Sequence, residues 1–250
     1  MNRTRKSLLG KALSAFPLCL VLYCFILRPG CRDFYTLTET FCDTIFGIMD
    51  YEDTRVYIMT VENIAFIMMF NLMLGGHIAH HFRYSCVYVF TRLSSRRGWY
   101  AARALEIIVT AVLYCLFYVG SVLLISLNAS QKPLDVVTLN RVLLVFLFSF
   151  LFVSSTTLLA NILSLRYGTA VGFFITEGVT LTLLALLTAT YRIKAAVLLN
   201  PIAFLNLFDQ GAKAAIFTTA YNFILLILVF FIGMRYVVNY DVALFDAELN

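Results

Sequence analysis

The chain has 250 residues, of which 61% are apolar and only 13% are charged, with a net charge of +5 and a mean hydropathy of +0.87. This composition excludes a water-soluble globular domain and indicates an integral membrane protein. The apolar stretches are continuous and do not alternate with polar residues, which argues against a membrane β-barrel and favours an all-α polytopic fold.

Six apolar windows are long enough to cross a membrane, because a helix rises about 1.5 Å per residue and the hydrocarbon is about 30 Å thick. A basic start precedes the first window, as in a signal peptide, but the end of this window lacks the small residues of a cleavage site, so we expect a retained anchor. The predicted spans cover residues 8–27, 56–79, 104–127, 142–165, 168–190 and 214–238.

Basic residues are concentrated in two of the polar segments. The start of the chain and the connection between the second and third spans together contain nine lysines and arginines and no acidic residue. Because cytoplasmic segments carry an excess of lysine and arginine, this distribution predicts that both termini are cytoplasmic.

The connection between the first two spans, residues 28–55, is predicted to lie outside the cell. Apolar residues recur at helical spacing from Phe34 to Ile48, so we expect an amphipathic helix on the outer surface. Cys31 and Cys42 share this segment, where a disulfide is conceivable, and the sequence does not decide whether one forms.

Motifs of catalytic or nucleotide-binding sites are missing from the sequence. It contains no Gly-x-Ser-x-Gly, His-Glu-x-x-His or Gly-x-x-x-x-Gly-Lys-Ser/Thr pattern, so we expect no catalytic residues and no ATP site in this chain. His77, His80 and His81 have the spacing of one helix face, which resembles a ligand set. Because no Cys, Asp or Glu adjoins them, we interpret them as polar residues at the end of the second span and predict no metal.

Three acidic residues of the predicted spans need an explanation, because a charge inside the membrane is costly. Glu62 lies near the outer end of the second span, where it could reach water by snorkelling. Glu106 lies three residues after Arg103, which predicts a local ion pair. Glu177 lies in the middle of the fifth span, where it is either a hydrogen-bonded structural group or part of a substrate or proton pathway. Its possible partners are Ser154, Ser155, Thr156, Thr157 and Asn161 of the fourth span and Thr176 and Thr180 of the fifth.

The basic connection between the second and third spans, residues 80–103, could orient the protein in the membrane or bind a partner. A helix over residues 83–93 would place aromatic side chains on one stripe and arginines beside them, which is typical of protein interfaces. The predicted partner-binding residues are Tyr84, Val87, Tyr88, Phe90, Arg92, Arg96 and Arg97.

Two stretches, VFTRLSSRRGWYAARALE (residues 89–106) and LLNPIAFLNLFDQG (residues 198–211), together with the order of six spans, resemble the permease subunit of ATP-binding-cassette exporters of the type 2 family. In bacteria this family exports drugs, peptides and polysaccharides. The resemblance implies that the first stretch contains a coupling helix that docks on a separate ATPase. It implies that residues 192–213 form a re-entrant outer segment that includes Asn200, Pro201 and Asp209.

The resemblance implies a permease of the bacterial plasma membrane that pairs with a second copy or a related permease. ATP and magnesium would be bound by cytoplasmic ATPase partners, and no nucleic acid is expected as a partner. The expected cargo is an amphipathic peptide, a lantibiotic-type antimicrobial (by export or self-immunity) or a hydrophobic drug, as in multidrug resistance. The sequence leaves two alternatives open, an ion-coupled secondary carrier that uses Glu177 and a non-transporting membrane scaffold.

Overall fold

The computed structural model describes residues 2–16, 55–82, 95–130, 134–190 and 212–239. Most of these residues are helical, and they contain no strand. The helices are α1 (Asn2–Leu13), α2 (Arg55–Leu74), α3 (Arg96–Ser130), α4 (Val136–Tyr167), α5 (Thr169–Thr190) and α6 (Ala212–Asn239).

Four helices of the described part are long and apolar enough to cross a membrane: Arg96–Leu127, Val136–Tyr167, Thr169–Leu186 and Ile216–Asn239. They coincide with the third to sixth predicted spans, so the all-helical fold with helices of membrane-spanning length is confirmed for the described residues. The first predicted span is described only to residue 16 and the second is not among these four helices, so both stay predictions. The outer amphipathic helix, the two outer cysteines and the re-entrant segment with Asn200, Pro201 and Asp209 lie outside the described residues.

Helix α4 is the centre of the bundle. It packs against α2, α3, α5 and α6, and 67% of its apolar window is buried, compared with 28% for α5 and for α6. The outer faces of α5 and α6 carry large exposed side chains such as Phe174 and Ile216. Those faces are therefore suited to lipid, whereas α4 is enclosed by protein.

A single residue, Gly168, separates α4 from α5. Its φ of 91° is a conformation that side chains with a Cβ rarely adopt, and its N–H donates to Ser164 O at 3.1 Å. One turn later, a Cβ on Gly172 would lie 2.5 Å from Ser164 N. The two glycines allow the chain to reverse sharply, so α4 and α5 pack as closely as the short connection predicts.

Aromatic side chains join α3 to its neighbours. Tyr114 donates a hydrogen bond to Phe66 O of α2 at 2.8 Å, and Tyr118 stacks on the Phe66 ring with centroids 4.6 Å apart. On another face, the buried Tyr100 lies against Gly233 of α6, where there is no space for a side chain. These contacts fix the beginning and the middle of α3 in the bundle.

Asp135 caps the beginning of α4. Its backbone is extended, and its Oδ1 accepts a hydrogen bond from Thr138 N at 2.8 Å. The side-chain and backbone hydrogen bonds from Thr138 lower the pKa of this exposed carboxyl. The charged form of Asp135 is thus the form that stabilises the helix start.

Candidate functional site

Polar side chains from α2, α4 and α5 meet inside the bundle. We call this cluster the polar seam, and its members are Asn71, Thr156, Thr157, Asn161, Ser164 and Glu177. Ser155 Oγ and Thr156 Oγ1 of α4 donate to Phe152 O of their own helix, at 2.9 and 3.0 Å. Such bonds to the preceding turn let hydroxyl residues lie in the most buried helix.

Asn71 connects Glu177 to α4. Its Nδ2 donates to Glu177 Oε1 at 2.8 Å, and its Oδ1 accepts from Thr157 Oγ1 at 2.6 Å. Glu177 is only 4% exposed, and within the described residues its Oε2 has no hydrogen-bond partner. The seam therefore holds one oxygen of the carboxyl, and the other is buried without a partner among the described residues, where a bound proton would reduce the cost of burial.

Helix α2 is interrupted at Gly75 and Gly76, after which residues 77–82 are helical again. A Cβ on Gly75 would lie 2.5 Å from Asn71 O, and one on Gly76 would lie 2.6 Å from Thr169 Cγ2 of α5. Close packing thus requires glycine at both positions. The predicted second span, residues 56–79, is consequently not one continuous helix.

The backbone groups released by this interruption are paired by side chains. Asn161 bridges it, because its Nδ2 donates to Leu74 O and its Oδ1 accepts from Ile78 N, each at 2.7 Å. Ser164 Oγ donates to Gly75 O at 3.0 Å. From α1, Lys11 Nζ donates to Met73 O at 3.1 Å. Irregular backbone inside a membrane protein needs such partners, so these side chains stabilise the interruption as part of the fold.

Charged and imidazole groups lie beside the interruption. Arg103 Nη1 contacts Glu106 Oε2 at 2.7 Å, which confirms the predicted local pair, and His77 Nε2 lies 3.3 Å from the same oxygen. The His77 and His81 rings are 4.7 Å apart. Burial, followed by the nearby Arg103, lowers the pKa of His81. Among the residues that the structure describes, no group of three or more potential metal ligands occurs.

A pocket of about 500 Å³ opens between α1, α2 and α5. Polar groups of Lys11, His77 and His80 line it together with the apolar side chains of Phe173 and Phe174, and Asn71 also belongs to its wall. Since Asn71 is bonded to Glu177 on its other side, one side chain separates the pocket from the buried carboxyl.

Some members of the polar seam were predicted from the sequence, but its central residue, Asn71, was not. Glu177 and Thr157 are brought together through Asn71, whereas Thr180 Oγ1 donates to Thr176 O on its own helix. Ser154 is buried, and no described residue accepts or donates a hydrogen bond to its hydroxyl. Asn71 could have been found as an amide inside an apolar window, which is costly unless it is paired.

Most of the predicted coupling residues lie outside the described part of the chain, namely Tyr84, Val87, Tyr88, Phe90 and Arg92. Arg96 and Arg97 lie in the first turn of α3, where Ser95 Oγ accepts from Gly98 N at 3.2 Å. In the described residues the helix continues to residue 82 and resumes at Arg96, so both ends of the predicted connection 80–103 are helical. The Phe82 and Trp99 rings contact each other edge to face with centroids 5.9 Å apart.

The chain matches no protein-family model, no curated protein and no solved structure.

Proposed function

We propose that this chain is the permease subunit of an ATP-driven exporter, which forms the translocation pathway with a second permease and is driven by separate cytoplasmic ATPase subunits. The proposal rests on the resemblance of residues 89–106 and on one observation, the contact between Phe82 and Trp99. This contact joins the two ends of the connection that would hold the coupling helix.

The surroundings of this contact are suited to transmitting motion. Trp99 packs against the core, and the next residue, Tyr100, is buried against α6. On the other side of the contact, Phe82 ends the helical residues 77–82. The first of these, His77, pairs with Glu106 of α3. A displacement of the connection would therefore reach α2, α3 and α6 together, because packed helices move as rigid elements.

The energy source in this proposal is another subunit, since the sequence contains no phosphate-binding loop. We propose an amphipathic peptide, a lantibiotic-type antimicrobial or a hydrophobic drug as cargo, and the bacterial plasma membrane as the location. Arg97 of α3, two residues before Trp99, and Arg235 of α6 line one groove beside the end of this connection, and these basic residues support its cytoplasmic orientation.

Co-reconstitution with the ATPase tests the proposal. The permease should stimulate ATP hydrolysis by a P-loop ATPase that co-purifies with it. We expect Tyr88→Ala and Arg92→Ala to weaken this association at least tenfold, and Phe82→Ala to preserve association but uncouple hydrolysis from transport. Arg166→Ala, at an exposed arginine of α4, is the matched control. Transport by the purified chain alone, without nucleotide, would contradict the proposal.

A second candidate, an ion-coupled carrier, is favoured by Glu177 Oε2, which is buried and has no hydrogen-bond partner among the described residues. In that case liposomes containing only this chain would accumulate cargo when a proton gradient is imposed. Glu177→Gln would abolish this accumulation while leaving the fold intact, because glutamine can still accept the hydrogen bond from Asn71. A non-transporting scaffold would show neither ATP-driven nor gradient-driven transport.

A further inference from the structure

A groove of about 450 Å³ lies between the first turns of α3 and the last turns of α6, and we call it the basic groove. It is lined by Arg97, Phe231, Met234, Arg235, Val238 and Asn239. Both arginines are exposed, and no carboxylate of the described residues forms an ion pair with either of them. Two guanidinium groups above an apolar floor form a site for an anion that carries a hydrophobic portion.

The floor of the basic groove continues along the outside of α6. Ile224, Leu228, Phe231 and Arg235 follow one another at helical spacing, and the three apolar members are each more than half exposed. The stripe from Ile224 to Arg235 is about 16 Å long, given a rise of about 1.5 Å per residue. One leaflet of a bilayer has about the same hydrocarbon depth, since the whole core measures about 30 Å.

We propose that the basic groove binds the headgroup of an anionic phospholipid, whose acyl chains lie along the stripe from Phe231 to Ile224. The phosphate pairs with Arg97 and Arg235, and the acyl chains pack against the apolar side chains of the stripe. The apolar stripe favours a lipid over a soluble anion, because a free phosphate would use only the two arginines. Anionic lipids are attracted to basic groups at the cytoplasmic surface, where positive-inside orientation would place this groove.

Native mass spectrometry of the purified full chain with defined lipids tests this inference. The wild type should retain phosphatidylglycerol in preference to phosphatidylcholine. The double variant R97Q/R235Q should lose this preference by roughly thirtyfold, since each arginine contributes about 1 kcal/mol near a lipid surface. R166Q is the matched control, because this exposed arginine lies at the end of α4 and does not line the groove. The control should retain the wild-type preference.

Further measurements separate the lipid from other anions. Raising the salt concentration to about 1 M should reduce the preference, because exposed charges are screened, and R97K/R235K should preserve part of it. Millimolar inorganic phosphate should not displace phosphatidylglycerol. The proposal is overturned if phosphate competes fully, or if R97Q/R235Q behaves like R166Q. It is also overturned if lipid binds only to a variant in which Asp241, Asp246 and Glu248 are replaced by neutral residues. In that case the C-terminal acids, and not a lipid, would occupy the basic groove of the wild type.

Discussion

Asn71 Nδ2 of α2 donates a 2.8 Å hydrogen bond to Glu177 Oε1 of α5, between two residues that are 1% and 4% exposed. This pair and the Thr157 hydroxyl link three helices at the level where the enclosed helix α4 is most polar. The link explains how a carboxyl group is tolerated in the middle of an apolar helix. Oε2 of Glu177 has no hydrogen-bond partner among the described residues. The same side chain would therefore serve both the stability of the bundle and any role in transport.

The first prediction concerns the energetic coupling of this pair. Asn71→Leu should lower the free energy of unfolding by about 1–3 kcal/mol, because Glu177 Oε1 loses its partner inside the bundle. Glu177→Gln should cost less than about 1 kcal/mol, since its amide oxygen still accepts from Asn71. Unfolding in mixed micelles with increasing SDS measures both effects.

A double-mutant cycle with Asn71→Leu and Glu177→Leu should give a coupling energy of about 0.6–1.7 kcal/mol, the range for hydrogen bonds between membrane helices. Thr182→Val is the control on α5, because this exposed hydroxyl bonds only to Gly178 O of its own helix. Strictly additive effects of the two leucine substitutions would show that the hydrogen bond contributes nothing.

The second prediction concerns the interruption of α2. Asn161→Leu should lower the free energy of unfolding by at least about 2 kcal/mol, because Leu74 O and Ile78 N both lose their partner in a buried place. The Ile78 amide should also exchange its hydrogen at least tenfold faster. Hydrogen exchange followed by mass spectrometry measures this protection.

Ser155→Ala is the matched control for Asn161→Leu. Ser155 is buried in the same helix, but its hydroxyl donates to Phe152 O at 2.9 Å within α4. Its removal should cost less than about 1 kcal/mol. If both substitutions had the same effect on stability and on exchange at Ile78, Asn161 would not be holding the interrupted backbone.

The sequence predicted those features that depend on neighbouring residues or on continuous apolar windows. The third to sixth spans follow from hydropathy, and the Arg103–Glu106 pair follows from a spacing of three residues on one helix. Asn71 and Glu177 are 106 positions apart, so their contact depends on how α2 and α5 pack. Likewise, an average of hydropathy over the predicted second span, residues 56–79, does not show the interruption at Gly75 and Gly76.

The third prediction concerns Tyr100 and Gly233. The Tyr100 hydroxyl is buried and has no hydrogen-bond partner among the described residues, so Tyr100→Phe should leave stability unchanged or raise it by up to about 1 kcal/mol. Gly233→Ala should lower stability by about 1–3 kcal/mol, because its Cβ would overlap the Tyr100 side chain. Thermal unfolding in detergent ranks the variants.

Combining the two changes provides the decisive comparison. Tyr100→Phe should recover part of the stability that Gly233→Ala removes, since the hydroxyl is the nearest atom to the added methyl group. Gly120→Ala in α3 is the control, because no atom lies within 4 Å of its Cβ position, and it should stabilise the helix by up to about 1 kcal/mol. A double variant no more stable than Gly233→Ala would exclude this overlap as the cause.

The fourth prediction concerns pH and the start of α4. The hydrogen bonds from Thr138 lower the pKa of Asp135 below its ordinary value in the folded state. The contribution of the charged cap is therefore fully present above the pKa of the unfolded chain, near pH 4, and is lost as the pH falls through the lower folded value. Asp135→Asn keeps a side chain that can cap the helix but cannot titrate. Between pH 6 and pH 3, measured as thermal unfolding in detergent at about 0.15 M salt, the wild type should lose more stability than this variant. Parallel pH profiles would show that other carboxyl groups account for the whole acid sensitivity, because only the Asp135 titration differs between the two chains.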